Sequence, residues 1–292
     1  MVKQYLILFR IPQWIKNLFV FVPLIFSQNL FKEDYFLKTL HGFLLFCLTS
    51  SIVYIINDII DIEADRAHPE KQNRPLASGK ISRKSAITAA AVLFLIIILQ
   101  MPFFNYLFNS TIIIYFLLNF FYSISLKHIV ILDVFVIAAG FMLRVVAGAF
   151  AIDVEISSWL ILTTMFISLF LGVMKRHSEL QIPNVDSTAA TRKVLVYYSS
   201  DFTSQMATVA SAGVIICYAL YTVAQRTVSV FGTENLIYTT PFVVFGIFRY
   251  MYLVYLGKKG ENTSEIMVTD LPMIINVLLY FLFVTLILYK IF

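Results

Sequence analysis

Asp58, Asp61 and Asp65 recur at intervals of three and four residues in the stretch NDIIDIEAD, directly behind an apolar run. A helix turns about 100° per residue, so the three carboxylates fall within about 60° of one another, with Asn57 on the edge of that face and Glu63 pointing away. Like charges stacked this way repel unless a counter-ion joins them. Magnesium meets the need, because it takes hard oxygen ligands, accepts one or two carboxylates directly and fills its octahedron with water and phosphate oxygens. The expected metal ligands are therefore Asp58, Asp61 and Asp65. The loop that follows, RAHPEKQNRPLASGK, carries Arg66, His68, Lys71, Arg74 and Lys80, donors matched to the outer oxygens of a diphosphate. Pro69 and Pro75 stiffen this loop and Gly79 permits a tight turn. A loop that merely fixed membrane topology would account for the bases but not for three acids in register.

A second charged group stands in GVMKRHSELQ, where Lys175, Arg176 and Glu179 can share a helix face. One acid among two bases suits an anionic group better than a second chelated magnesium. Lys16 and Asn17 open the first apolar run, and Lys127, Asp133 and Arg144 follow in YSISLKHIVILDVFVIAAGFMLRVVAG. Asp133, Gly140 and Arg144 lie within about 40° of one helix face, a polar stripe on an otherwise apolar helix. An arginine exposed to lipid at depth costs at least roughly 2.5 kcal/mol, so Arg144 must face a wet cavity or a partner such as Asp133. Lone His41, His128 and His177 read as interfacial, and His68 as a cap on its loop.

The elements that must position these groups are membrane helices. The chain is 60% hydrophobic and only 13% charged, which excludes an ordinary soluble domain. Spanning a hydrocarbon layer takes about 20 apolar residues per helix. About nine such runs occur, near 14–30, 36–56, 85–104, 108–126, 130–151, 157–175, 204–226, 236–256 and 271–291. The first is the weakest, with Lys16 and Asn17 at its start and Pro23 in its middle, and no cleavable leader pattern accompanies it. The fold class is an all-α polytopic membrane protein, expected as a single domain over 1–292, with the first acidic motif in a loop over 57–84 and the second over 175–203.

With the amino terminus placed in the cytoplasm, sixteen basic residues fall on that side and four, Lys32, Lys38, Arg226 and Lys290, on the other, leaving Arg144 and Arg249 inside helices. This bias orients the amino terminus and both charged groups toward the cytoplasm, in a cell inner membrane. It also explains the net charge of +5 without nucleic acid, which is not an expected partner. Cys47 and Cys217 sit in apolar runs and read as free thiols, neither disulfide nor metal ligands.

NDIIDIEAD fits the NDxxDxxxD motif of the UbiA superfamily of intramembrane prenyltransferases, and the chain is similar to that family in placing it after the second run. The resemblance implies a nine-helix bundle with a cytoplasm-facing cavity, a magnesium-bound diphosphate at the first motif, and a second acidic motif, usually DxxxD, after the sixth helix. KRHSEL departs from that second motif. RIPQWIKN, GFMLRVVAG, KRHSEL and TRKVLVYY look instead like the decaprenyl-phosphate phosphoribosyltransferase branch, a likeness covering most of the chain up to about residue 200, with FRYMYLV near 248–254 similar to its later part.

That branch implies transfer of a 5-phosphoribosyl group from phosphoribosyl diphosphate to a polyprenyl phosphate, with Mg2+ as cofactor. Under it, Asp58, Asp61 and Glu179 are the catalytic candidates. Asn57 orients the diphosphate; Arg66, Lys71 and Arg74 contact the donor phosphates; Lys16, Lys127 and Arg144 complete the anion pocket, with Tyr122 donating a hydrogen bond. Glu179 would hold a ribose hydroxyl while Lys175 and Arg176 take the 5-phosphate or the lipid phosphate. The alternatives are a conventional UbiA-type prenyltransferase using a prenyl diphosphate, and a secondary transporter, against which the one-sided charge argues. The sequence allows a homo-oligomer without specifying one.

Overall fold

The computed structural model describes residues 2–67, 71–181, 193–256 and 269–290, and among these residues there is helix and turn but no strand. The helices are α1 (Val2–Leu8), α2 (Val22–Phe26), α3 (Glu33–Ile60), α4 (Ile62–Ala67), α5 (Arg83–Gln100), α6 (Tyr106–Ile124), α7 (Leu132–Ile152), α8 (Ser158–Leu180), α9 (Ser200–Val223), α10 (Gln225–Phe231), α11 (Thr240–Tyr255) and α12 (Leu271–Leu288). Eight helices are long and apolar enough to cross a membrane, and the bent pair Val2–Leu8 and Ile11–Phe26 makes a ninth span if counted as one. The last eight apolar runs each coincide with a long helix. Polar caps set where several begin: Ser82, Asn105, Ser199 and Asp270 each accept a backbone N–H of the first turn. Asn105 also donates to the Phe150 carbonyl at 2.7 Å, which ties the start of α6 to the end of α7.

The first span departs from the sequence reading. It is not one α-helix over 14–30 but α1, a break, a 3-10 segment over Ile11–Phe21, and α2, with a 48° bend between its halves. Arg10 takes a left-handed conformation at the break (φ 51°), and Pro12 starts the new segment. Side chains three apart eclipse one another on a 3-10 helix, so Trp14, Asn17 and Val20 form one inward row. Asn17 and Val20 are fully buried there. The two motif loops also begin inside helices: Asn57–Ile60 belongs to α3 and Lys175–Leu180 to α8.

The two largest of three apolar clusters among the described residues fill most of the bundle. One joins the broken span, α3, α5 and α6 through Leu24, Phe46, Ile97 and Phe108; the other joins α8, α9, α11 and α12 through Phe170, Val214, Tyr250 and Met273. Helix α7 contributes to both, with Ala147 in the first and Val134 in the second. In lipid, helix association depends on close packing rather than on burial from water, which favours small residues at contacts. Gly148 of α7 is the tightest: a Cβ there would lie 2.1 Å from the Val20 carbonyl oxygen. A backbone oxygen cannot rotate away, so Gly148→Ala is expected to cost about 1–3 kcal/mol. The measurement is thermal unfolding in detergent; an unchanged midpoint would show that the broken span does not rest on α7.

Candidate active site

The charged side chains gather at one end of the bundle, where the carboxyl ends of α3, α6 and α8 meet the amino end of α7. Helix α3 stops at Ile60 and α4 restarts at Ile62, with Asp61 between them (φ −93°, ψ 10°). The backbone keeps its helical sense, since Asp61 N–H donates to the Asn57 carbonyl and Asp65 N–H to that of Asp61. Asp58 and Asp65 therefore stay on a common side and are nearly inaccessible, at 2% and 4% exposure.

One nitrogen of Arg74, Nη1, lies 3.2 Å from Asp58 Oδ1 and 2.6 Å from Asp65 Oδ2. Arg10 donates through Nη2 to the same Asp58 oxygen and stacks its guanidinium on Tyr54, 4.6 Å from the ring centroid. Asp61 turns elsewhere: both its oxygens accept from Lys127 Nζ, at 2.8 and 3.0 Å. The three acids thus divide between two sets of bases. Among the described residues no three Asp, Glu, His or Cys side chains are grouped to hold one metal ion. The donor chemistry still fits magnesium at Asp58 and Asp65, because a single cationic nitrogen already reaches an oxygen of each.

The second charged group is a buried clamp. Arg176 is fully buried; its Nε donates to Asp133 Oδ2 at 2.6 Å, its Nη1 to Glu179, and its Nη2 reaches the Tyr122 hydroxyl at 3.4 Å. Tyr198, between α8 and α9, donates its hydroxyl proton to Asp133 Oδ1 and accepts the Ile131 N–H, each at 2.8 Å. Burial, and then the Asp133 carboxylate, push the Tyr198 phenol above its ordinary range, so it stays a donor. Of the two readings open for Arg144, the Asp133 pair is not formed: Asp133 pairs with Arg176.

Arg144 instead donates to three neutral acceptors. They are Asn17 Oδ1 at 2.7 Å, the Gly140 carbonyl at 2.8 Å and the Tyr115 hydroxyl at 2.8 Å. Asn17 in turn donates to Ser50 Oγ at 3.2 Å and Cys47 Sγ at 3.3 Å, so the first span, α3, α6 and α7 meet in one polar knot inside the bundle. Both cysteines are buried thiols.

The other sequence candidates spread over the same end. Lys16 and Asn57 are half-buried, Lys71 sits on a short turn over Lys71–Asn73, and Lys175 is half-buried on α8. Arg66 turns outward to Glu63 at 3.0 Å and to the Ala77 carbonyl at 3.2 Å, away from the acids, and Lys80 is exposed. His68 and Pro69 lie outside the described residues. Arg10 was missed, read only as a topology charge. Pro12 is the signal that could have found it, because a proline at the second position of a helical segment marks a break just before it.

Residues 19–289 match the UbiA prenyltransferase family. The chain is 34% identical over 216 residues to the decaprenyl-phosphate phosphoribosyltransferase of Mycolicibacterium smegmatis, covering 73% of this chain and 68% of that one. To the protein of the same name in Corynebacterium glutamicum it is 32% identical, covering 89% and 79%. In structure it is similar to a UbiA homolog from Archaeoglobus fulgidus bound to GPP and Mg2+, with a TM-score of 0.75 at 17% identity over 98% of this chain and 99% of that one. A digeranylgeranylglyceryl phosphate synthase aligns with a TM-score of 0.67 at 21% identity, over 97% and 98%. The helical bundle, with eight or nine candidate spans among the described residues, the NDxxDxxxD motif at its charged end and these likenesses lead to one assignment: the chain belongs to the UbiA prenyltransferase family and is a membrane-embedded transferase.

Proposed function

We propose that the chain transfers a 5-phosphoribosyl group from phosphoribosyl diphosphate to a polyprenyl phosphate, releasing diphosphate, at the inner-membrane face that the positive-inside rule assigns to the cytoplasm. The observation that carries this reading is the state of the second charged group. Asp133 and Glu179, the acids nearest to a second chelating motif, are both bound to the buried Arg176. That arrangement leaves the first motif as the metal–diphosphate site and makes the second an element that holds position. The relatives named as phosphoribosyltransferases support the same choice, and the Mg2+ bound to the Archaeoglobus homolog supports the cofactor.

In this reading Asp58 and Asp65 hold magnesium, and Asp61 acts beside them through Lys127. When bound, the ion neutralises charge that builds on the departing diphosphate. Arg74 and Lys127, bonded to the acids, and Lys71, on the short turn just before Arg74, take the outer phosphate oxygens. Asn57, half-buried on α3 beside Asp58, and Lys16, half-buried on the first span, are further candidates for contact with the donor. An oxygen of the lipid phosphate forms the new bond to the ribose anomeric carbon as that carbon's bond to the diphosphate breaks, and the electron pair leaves with diphosphate. The acceptor is ionised at neutral pH, so no side chain has to remove a proton. Glu179, with 19% of its side chain exposed beside the clamp, offers a carboxylate oxygen to a ribose hydroxyl. Lys175 and Tyr122 serve the 5-phosphate and Arg176 positions Glu179, whereas Arg144, expected to complete the anion pocket, is engaged by three neutral acceptors inside the bundle and is left out of it.

Purified protein given labelled phosphoribosyl diphosphate, polyprenyl phosphate and magnesium is expected to place label in the lipid fraction. Label entering lipid or an aromatic acceptor from a prenyl diphosphate alone would sink the proposal in favour of conventional prenyl transfer. Asp58→Asn and Asp65→Asn should each lower turnover by about a hundredfold or more, as loss of a charge-stabilising group does, while the protein stays folded.

The clamp gives a stability test. Removing one partner of a buried ion pair typically costs about 3–5 kcal/mol, because the other charge is left unpaired. Asp133→Asn and Arg176→Met should therefore each lower the unfolding midpoint in detergent strongly. Tyr198→Phe, which deletes one hydrogen bond to a charged group, should cost less, about 1.5–3 kcal/mol. Equal midpoints for all three variants and the parent would refute the clamp.

A further inference from the structure

Arg10 is a strong cationic group near the acids that the reading above leaves without a role. Three observations place it. The break in the first span is pinned: Ser51 of α3 donates its hydroxyl to the Phe9 carbonyl at 2.9 Å, and Trp14 donates to the Ser51 oxygen at 3.1 Å. Arg10 itself lies in the left-handed conformation that turns its side chain from α1 toward α3. There its guanidinium stacks on Tyr54 and donates to Asp58. The Arg10 side chain is 22% exposed while that of Asp58 is 3% exposed, so the arginine forms the outer wall of the site and the acid its floor.

We propose that Arg10 is a ligand of the donor's diphosphate, exchanging Asp58 for phosphate oxygens when a divalent cation takes that acid. The charges explain why. Two acids, Asp58 and Asp65, are held by two arginines, Arg10 and Arg74, and the group is neutral. A dication bound to both acids displaces both guanidinium groups from them and leaves a local excess of two positive charges. Arg10 cannot withdraw far, because the pinned break and the Tyr54 ring keep it at the rim. A diphosphate bridging the metal supplies the anionic oxygens it has lost, in the planar two-pronged geometry that guanidinium prefers. The inference rests on the first motif being a metal–diphosphate site, not on which group the diphosphate carries.

The experiment measures binding without turnover, on the full chain in detergent with no acceptor lipid. Labelled phosphoribosyl diphosphate with Mg2+ is one probe, inorganic diphosphate with Mg2+ a second, and Mn2+ alone, followed by the resonance of the free ion, a third. Arg10→Gln is expected to weaken binding of both diphosphates about tenfold or more, and Arg10→Lys, which keeps the charge but not the fork, by less. Mn2+ alone should bind the Gln variant as tightly as the parent or more tightly, because a competing cation has gone. If Arg10 is only the counter-ion of Asp58, both diphosphates will bind the Gln variant within about twofold of the parent, and the proposal falls. It falls equally if Mn2+ affinity drops in step with diphosphate affinity, or if the parent binds neither diphosphate. A parent that binds inorganic diphosphate but not the phosphoribosyl compound overturns the proposed function, while the Arg10 comparison still reads out on the first of these.

Discussion

A guanidinium group inside a bilayer must find acceptors for its N–H groups within the protein, because lipid offers none. Arg176 and Arg144 meet this requirement in opposite ways, and the architecture follows from the difference. Arg176 is bound to two carboxylates from α7 and α8, with Tyr122 of α6 alongside. Arg144 lies roughly 18 Å along α7 from its start and is satisfied by neutral oxygens from three elements. The first is a closed ion pair that fixes helices; the second is a charge without a counter-ion among its partners. Each arginine draws in elements far apart in sequence, so helix order at the charged end is set by hydrogen-bond demand as much as by apolar packing.

The broken first span belongs to the same scheme. A straight α-helix over residues 2–26 would satisfy its own backbone and leave no reason for Ser51 to bond the Phe9 carbonyl. The left-handed residue and the prolines interrupt that ladder, and the freed Phe9 carbonyl is met by Ser51, whose oxygen in turn accepts from the Trp14 side chain. Irregular backbone is tolerated at membrane depth where protein covers it, and here α3 and α7 do so. The break brings Arg10 to Asp58 at one end, and the 3-10 row carries Asn17 to Arg144 in the middle. A single irregular span thus supplies partners to both the acid cluster and the buried cation.

The helical bundle was legible in the sequence because hydrophobic run length is a strong signal in membrane proteins; eight of nine expected runs became long helices. The acidic motif was legible as well, since helical spacing places Asp58 and Asp65 on one side whether or not the helix pauses at Asp61. What the sequence concealed was pairing. Asp133 and Arg144 share a helix face, which made them an attractive couple, yet Asp133 faces α8 and Arg144 faces the first span. Periodicity reports direction around one helix and says nothing about which neighbour stands there. Arg10 was hidden for a related reason: its position depends on a break whose sequence signal, Pro12, is local and weak beside an apolar run.

The pairing of Asp58 and Asp65 with arginines also bears on how the site can take a highly charged ligand. Two bare carboxylates in a partly buried pocket would repel a diphosphate and one another, and two bare arginines there would be costly to desolvate. Paired, they present a neutral surface, and in the proposed reading an ion and its diphosphate would enter it together by exchange, acid to metal and base to phosphate. Each group trades one partner of opposite charge for another, so the number of satisfied charges is unchanged. Asp61 and Lys127 can make the same exchange at the end of α6, whereas the Arg176 clamp cannot open without unpairing two fully buried charges, Arg176 and Asp133. Within one charged end of the bundle, the acid cluster is therefore labile by its electrostatics and the clamp fixed.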